Sequence, residues 1–583
     1  QAFSGEYIVK FKSENDMRYS LYQAKSTNST AVVDAHRKGL LAKWLIKSKS
    51  ERDEAKQLAR LMARPDVEYV VENFKFQTLL SDDNPVGDNP DEDVSDDNPV
   101  GDNPDEDVSG EDPNGDEPNG DEPEQEEPTE DEPAEVERPA PQKQWAMDKI
   151  HAPDAWATVR GKNSVLVAVI DTGVDASHED LADRIYVNKK EIPDNNIDDD
   201  GNGYIDDVSG WDFFENDNDP NDVTSARNKG HGTHCAGIIG AIDENKTGIS
   251  GIAQNVQIMP LRFLGPNGSG DLLNAVKAID YAIASGVQVI SASWGARVSN
   301  ARAKPVLEAV ERAEKAGILF VAAAANNGKS NDKETMYPAN APYLNVISVA
   351  ASGEKDTRPR WSNYGEGRVH LAAPGEGIVS TLPGNKYAKL SGTSMATPLV
   401  AGMAALMLSE MYDDEQLTPL QVRSIMQATG EKVKIETACN CRIDAAKALD
   451  RLQTHEMTVV PLTSTIGIKR QQKFDVWGAA KGDLTYKVTD DTVAQIDADG
   501  LLTGLRKGRT QVVITDASGQ SAQSMDVRVG LSGAPSLCPF SKIKCFFVCI
   551  VSWKKPWCYW NRNKLKSSMD EFGTLDLSAL EIR

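Results

Sequence analysis

The chain has 583 residues, 39% of them hydrophobic, which is enough apolar material for sizeable cores in about three or four domains. It carries 63 Lys and Arg against 89 Asp and Glu, a formal net charge of −26. Residues 81–137 hold 26 of those acids and no base, so acids and bases balance elsewhere; no domain has the basic excess that nucleic-acid binding requires.

No apolar run approaches the ~20 residues that span a bilayer, and the longest, Cys545–Trp553, reaches about half that length, so no transmembrane segment is expected. The chain opens with Gln1 and no charged-then-apolar leader precedes Tyr7, as in a chain whose leader is already removed or trimmed away. Residues 1–79 predict a small α+β unit: strand-like Glu6–Phe11, helical Glu51–Met62 and strand-like Val67–Val71. Residues 80–141 form an acidic linker in which Ser81–Val94 recurs unchanged as Ser95–Val108. Like charges repel and Pro blocks helix and sheet, so this linker is expected to be disordered and solvated.

Residues 142–452 alternate between strand and helix patterns. Val165–Ile170 is a continuous apolar run closed by Asp171, as in a buried parallel strand. Helical Leu272–Ser285 stops at Gly286 before the strand-like Val287–Ser293, and helical Pro305–Ala316 stops at Gly317 before Ile318–Ala325. Such units predict an α/β fold, a parallel sheet flanked by helices with ligands at the carboxyl ends of its strands. Residues 456–530 carry short β-rich runs parted by Gly and Asp turns, the pattern of a small β-sandwich. Residues 531–583 are a basic tail rich in Cys and Trp. Cys538, Cys545, Cys549 and Cys558 lie there without a His, which fits an oxidising compartment better than a metal site.

Three stretches of the central domain carry chemistry. Asp171-Thr-Gly-Val-Asp closes a buried strand, His231-Gly-Thr-His-Cys-Ala-Gly opens an apolar helical run, and Gly392-Thr-Ser394-Met-Ala-Thr-Pro398 leads into a helix over Leu399–Met411. A Ser hydroxyl becomes a nucleophile when an imidazole takes its proton, and the imidazole needs a carboxylate to fix its tautomer. Asp198, Asp200, Asn202 and Asp206 place oxygen ligands at alternate positions around a glycine turn, as in a calcium loop, although Ser209 stands where an EF-hand has Glu. Asp212, Glu215, Asp217 and Asp219 form a second alternating cluster. Cys235 reads as a buried structural thiol. Cys439 and Cys441 lie too close in sequence to be expected to pair with each other.

With these motifs the central domain resembles the subtilisin-family serine proteases (subtilases), in the order Asp…His…Ser. The resemblance implies Asp171 as orienting acid, His231 as general base and acid, Ser394 as nucleophile and Asn326 as oxyanion donor. Ala325 stands where the family usually has Gly. Ser293, Trp294 and Gly295, with Gly268, Ser269 and Gly270, match the two segments that pair with an extended peptide substrate. Met336 falls at the base of the main specificity pocket and is expected to make it shallow. His178 and His234 match structural positions, and Asp180 and Asn245 match the family's strong calcium site, so Ca²⁺ is the expected cofactor. Residues 1–79 resemble the family's propeptide inhibitor, and 456–530 resemble bacterial Ig-like group 2 domains. Together these imply a secreted serine endopeptidase made as a self-processed zymogen, acting on proteins or peptides and inhibited by its own propeptide. Its mature part would begin near Gln142–Trp145. The other reading is a surface attachment protein, bound through the Ig-like module and tail, whose protease serves only self-processing.

Overall fold

A computed structural model describes residues 3–27, 31–48, 51–80, 143–243, 248–411 and 416–530. The acidic linker, the Cys/Trp-rich tail and Asn245 therefore lie outside the described residues, apart from Leu80 at the start of the linker.

The N-terminal unit runs β1 (Phe3–Phe11), α1 (Glu14–Thr27), β2 (Ala31–His36), β3 (Leu41–Ser48), α2 (Glu51–Met62) and β4 (Val67–Glu72). Its strands form an antiparallel sheet in the order β2-β3-β1-β4. Side chains alternate across a strand. Val9 accordingly joins the unit's own core with Met17, Trp44 and Leu61, while Ile8 and Leu41 join the core beneath helices Leu272–Ala284 and Lys304–Lys315 of the central domain. Polar contacts ring this second face: the ion pairs Lys43–Asp271 at 2.9 Å, Lys304–Glu68 at 3.0 Å and Arg302–Glu72 at 3.0 Å, and a hydrogen bond of 2.6 Å between His36 Nε2 and Asp280.

The central domain is built on a nine-stranded sheet. Its strands, in spatial order, are Glu431–Lys432, Cys441–Arg442, Leu371–Pro374, Val346–Ser352, Leu319–Ala323, Val289–Ala292, Leu166–Asp171, Gln257–Arg262 and Trp211–Asp212. All neighbours are parallel except the Glu431–Lys432 edge. Val167 and Val169 point into the core beneath helices His231–Gly240 and Thr393–Glu410, whereas Leu166, Ala168 and Ile170 point into the opposite core. This is the expected α/β architecture, with both sheet faces covered. The helix expected from Leu399 begins earlier, at Thr393, so Ser394 lies in its first turn.

One cysteine expectation is corrected. Cys439 and Cys441 are joined to each other, because Asn440 takes a left-handed φ of 47° and folds the chain until the two Cα atoms stand 5.1 Å apart, within the normal disulfide range.

The C-terminal β-sandwich spans Thr458–Val460 to Val527–Val529 around Phe474, Leu502, Val512 and Ile514. It is docked on the central domain rather than hung from it. Val460 and Trp477 are buried in the central core, Leu462 N donates to Ser424 Oγ at 3.2 Å, and Arg528 meets Glu366 at 3.0 Å.

Candidate active site

Asp171 ends the strand Leu166–Asp171 at the carboxyl edge of the sheet and is 1% exposed. His231 opens the helix His231–Gly240, whose first N–H groups have no partner within the helix. Each finds one elsewhere: His231 N donates to Asn228 Oδ1 (2.9 Å), Gly232 N to Thr172 Oγ1 (2.9 Å) and Thr233 N to Asp222 Oδ2 (3.0 Å). Burial pushes the Asp222 carboxyl up to about 6. A Cβ at Gly232 would lie 2.0 Å from Gly173 O, so only glycine lets this helix reach the Asp171 turn. His231 Nδ1 then sits 2.6 Å from Asp171 Oδ1, with both side chains buried.

Ser394 is oriented by its helix. Pro398 has no N–H to give the Ser394 carbonyl, four residues earlier. That carbonyl instead accepts Ser293 Oγ at 2.9 Å and the Cys235 thiol at 3.5 Å. Burial and the Asp171 charge hold this thiol well above its ordinary pKa, so it stays neutral. Asn326 is fixed through its oxygen, which accepts Thr393 N (2.9 Å) and Thr393 Oγ1 (2.8 Å). Its NH₂ is thereby turned outward. Ala325 beside it adopts φ 95°, a strained value for a residue with a Cβ, held by Ala325 N to Thr393 Oγ1 (3.2 Å) and Asn363 N to Ala325 O (2.9 Å).

The chain's own segment occupies the cleft. A fifth strand, β5 (Lys75–Thr78), lies between Trp294–Gly295 and Ser269–Asp271 in an antiparallel sheet. Thr78 opposes Trp294, and Gln77 lies between Gly295 and Ser269. Thr78 N donates to Gly268 O at 2.9 Å and Leu79 N to Ser293 O at 3.3 Å. The Leu79 carbonyl accepts Ser394 Oγ at 2.6 Å and also Asn326 Nδ2. Gly392 permits this approach, since a Cβ there would lie 2.4 Å from Leu79 O. Leu79 Cδ1 and Met336 Sδ both border Gly295, each within 3.4 Å of where its Cβ would stand. In this conformation Ser394 Oγ is turned to Leu79 O and Ser293 O, and among the described residues His231 Nε2 has no hydrogen-bond partner.

The acidic loops divide. Asp198 and Asp200 converge with Glu191, their carboxylate oxygens within 4.8 Å of one another, a set of hard oxygen donors that fits a calcium ion. Glu191 precedes the alternating run, so no local pattern in the sequence marks it. Asn202 donates to Asp207 at 2.8 Å, and Asp206 accepts the N–H groups of Asn195 and Asn196, so these two hold the loop. Asp212 is bound to Arg262 and accepts Phe214 N and Glu215 N, while Asp217 and Asp219 accept N–H groups of their own loop. No acidic triplet converges among Asp212, Glu215, Asp217 and Asp219. Asp180 is buried and accepts Ile249 N at 3.1 Å.

A strand-end carboxylate on an imidazole, a helix-borne serine and an outward-turned amide, the last two holding one peptide carbonyl, are the group types that serine hydrolase chemistry on an extended chain requires. Residues 162–453 match the Subtilase family and residues 455–527 the Bacterial Ig-like domain (group 2). The chain belongs to the subtilase family and is a serine endopeptidase. It is 38% identical over 291 residues to thermitase of Thermoactinomyces vulgaris, covering 50% of this chain and 89% of that protein. It is 38% identical over 290 residues to the thermophilic serine proteinase of Bacillus sp. (strain AK1), covering 50% and 62%. To the major intracellular serine protease of Bacillus subtilis (strain 168) it is 40% identical over 270 residues, covering 46% and 74%. No helix among the described residues is long and apolar enough to cross a membrane.

His234, three residues beyond His231, is a further group that burial shifts. Burial lowers His234 to about 3, and its Nε2 donates to Ile378 O (3.0 Å) and Ala388 O (3.1 Å). The unfolded chain takes up a proton below about pH 6.5 that the folded site refuses, so stability is full above pH 6.5 and falls as pH drops toward 3, by about 1.4 kcal/mol per unit from this group. Urea unfolding at pH 7 and pH 5 should show a slope smaller by about one proton in His234→Gln than in its parent, both carrying Ser394→Ala. Equal slopes would contradict the assignment.

Proposed function

We propose that the chain is the zymogen of a secreted, calcium-supported endopeptidase that cuts itself after Leu79. The observation that carries this reading is the Leu79 carbonyl, held by Ser394 Oγ and Asn326 Nδ2 at the end of a strand paired on both sides with the cleft. Ser394 Oγ attacks the Leu79 carbonyl carbon, and its proton passes to His231 Nε2 after rotation about the Ser394 Cα–Cβ bond. Asp171 stabilises the resulting imidazolium through Nδ1. The tetrahedral oxyanion is stabilised by Asn326 Nδ2 and the Ser394 N–H; losing such a side-chain donor in a subtilisin reduces turnover roughly 10²–10³-fold. Collapse breaks the bond to Leu80, whose amine takes the proton from His231, and water then hydrolyses the acyl-enzyme. The N-terminal unit, ringed by ion pairs, remains as the inhibitor until it is degraded, and residues up to about 142 are trimmed later.

Substrates bind as β5 does. Leu79 and Met336 share the space over Gly295, which supports a shallow pocket for Leu and disfavours Phe or Tyr. The Ig-like module and the Cys439–Cys441 pair support an extracellular setting, where the module serves attachment or spacing. Glu191, Asp198 and Asp200 would hold a calcium ion that cross-links their loop.

A fluorophosphonate probe should label wild-type protein recovered from the culture medium or cell surface and should leave Ser394→Ala and His231→Ala dark. A peptide library should then rank Leu above Phe and Tyr before the cut. Absence of label from wild type, or a preference for Phe, would oppose the respective claims. Chelation of calcium should lower the thermal midpoint of Ser394→Ala by about 5 °C or more, and the loss should shrink in Glu191→Gln; an unchanged midpoint would remove the metal from the account.

A further inference from the structure

Asn326 stands on a loop, residues 324–331, that leaves the sheet after the strand Leu319–Ala323 and passes through Ala325 at φ 95° and Gly328 at φ 67°. The backbone groups of such a loop have no ladder partners, so whatever holds its shape must come from elsewhere in the chain. Thr393 fixes the Asn326 amide and the Ala325 N–H. It leaves Ala325 O, Asn327 N and Lys329 N to be matched by another residue.

Asn363 matches all three. Its N–H donates to Ala325 O at 2.9 Å, and its Oδ1 accepts Asn327 N at 3.1 Å and Lys329 N at 3.0 Å. Its Nδ2 donates to Asn331 Oδ1 at 2.9 Å, and Asn331 Nδ2 donates in turn to Ala324 O at 3.0 Å. These contacts fall on both sides of Asn326. Two N–H groups facing one amide oxygen leave the buried Asn363 side chain a single orientation. Aspartate there would set a second acceptor against Asn331 Oδ1. The residue is itself tied to the sheet, because Ser362 Oγ accepts Ala351 N of the strand Val346–Ser352 at 2.9 Å and donates to Asn363 O at 3.0 Å.

We propose that Asn363 is a positioning residue for the oxyanion site, holding the backbone on either side of Asn326 so that Nδ2 meets the developing charge without a prior movement of the loop. The proposal rests on the reading of Asn326 as the oxyanion donor. The side-chain hydrogen bonds of Asn363 go to residues 327, 329 and 331, not to Ser394 or Leu79, so its effect on the reaction passes through Asn326. Without that side chain, Asn327 N and Lys329 N lose their acceptor and the turn at Ala325 is free to relax. A donor that drifts loses most where the oxygen carries most charge, so turnover falls while KM changes little.

The test is a double-mutant cycle on hydrolysis of a peptide anilide ending in Phe-Gln-Thr-Leu, the sequence of residues 76–79. Each full-length variant is processed by a tagged wild-type enzyme that is then withdrawn. Asn326→Ala should lower kcat about 10²-fold or more. Asn363→Ala should lower it about 10-fold or more with KM changed less than about 2-fold. In the Asn326→Ala background the same Asn363→Ala should lower kcat by less than about 2-fold further, since no donor is left to aim; a merely structural loss would be equal in both backgrounds. Asn363→Ser, whose hydroxyl keeps one acceptor, should fall between wild type and Asn363→Ala, and it carries the same comparison where the alanine variant does not fold. An unchanged kcat in Asn326→Ala would remove the oxyanion reading itself and the proposal with it. With that loss observed, an unchanged kcat on substitution of Asn363, or an equal loss in both backgrounds, would overturn the role of Asn363 alone.

Discussion

The carbonyl oxygen of Leu79, gripped by Ser394 Oγ and Asn326 Nδ2, is the contact on which the rest of the structure converges. Each gripping group is held from behind. Thr393 locks the Asn326 oxygen, so its NH₂ can face only outward. Pro398 frees the Ser394 carbonyl, and Ser293 and Cys235 fill it. The sheet supplies the frame, because the strands ending at Asp171 and Ala323 deliver the acid and the loop of Asn326 to one edge. Preorganisation of this kind lets donors act on a developing charge without moving first.

The segment that presents Leu79 is held by two unequal kinds of force. Phe76 is fully buried, with its ring 4.7 Å from that of Trp294 and 5.0 Å from that of Phe74. Burying a Phe side chain contributes about 1.5–3 kcal/mol, whereas an exposed ion pair contributes about 0–1 kcal/mol. Phe76 and the apolar seam through Ile8 and Leu41 therefore supply most of the affinity. The half-exposed pairs Arg302–Glu72 and Lys304–Glu68 chiefly fix the register of the N-terminal unit on the two helices.

Much of this organisation is legible in the sequence, and the remainder is hidden for physical reasons. The strand closed by Asp171 and the helices stopped by Gly286 and Gly317 follow from local periodicity and turn chemistry, and the structure has them within a residue or two; the sandwich is legible as a β-rich region, while not every one of its short strands is. Contacts made across the chain are different. Ser394 and Leu79 are 315 residues apart, and no local pattern marks Leu79 as the residue that reaches the cleft. The caps from Asn228, Thr172 and Asp222 on the His231 helix come from two loops, and Glu191 joins Asp198 and Asp200 from outside the alternating run. The Cys439–Cys441 pair is hidden from spacing alone, because the left-handed turn at Asn440 that closes it has no signature in the distance between the two cysteines.

The most direct measurement is the amino-terminal sequence and intact mass of the fragments formed when the wild-type chain is incubated with calcium, sampled from the earliest times and compared with Ser394→Ala. The account predicts that the first new terminus is Leu80, with a partner fragment ending at Leu79, and that Ser394→Ala stays intact. A first cut at any other bond, or the same cut in Ser394→Ala, would contradict it.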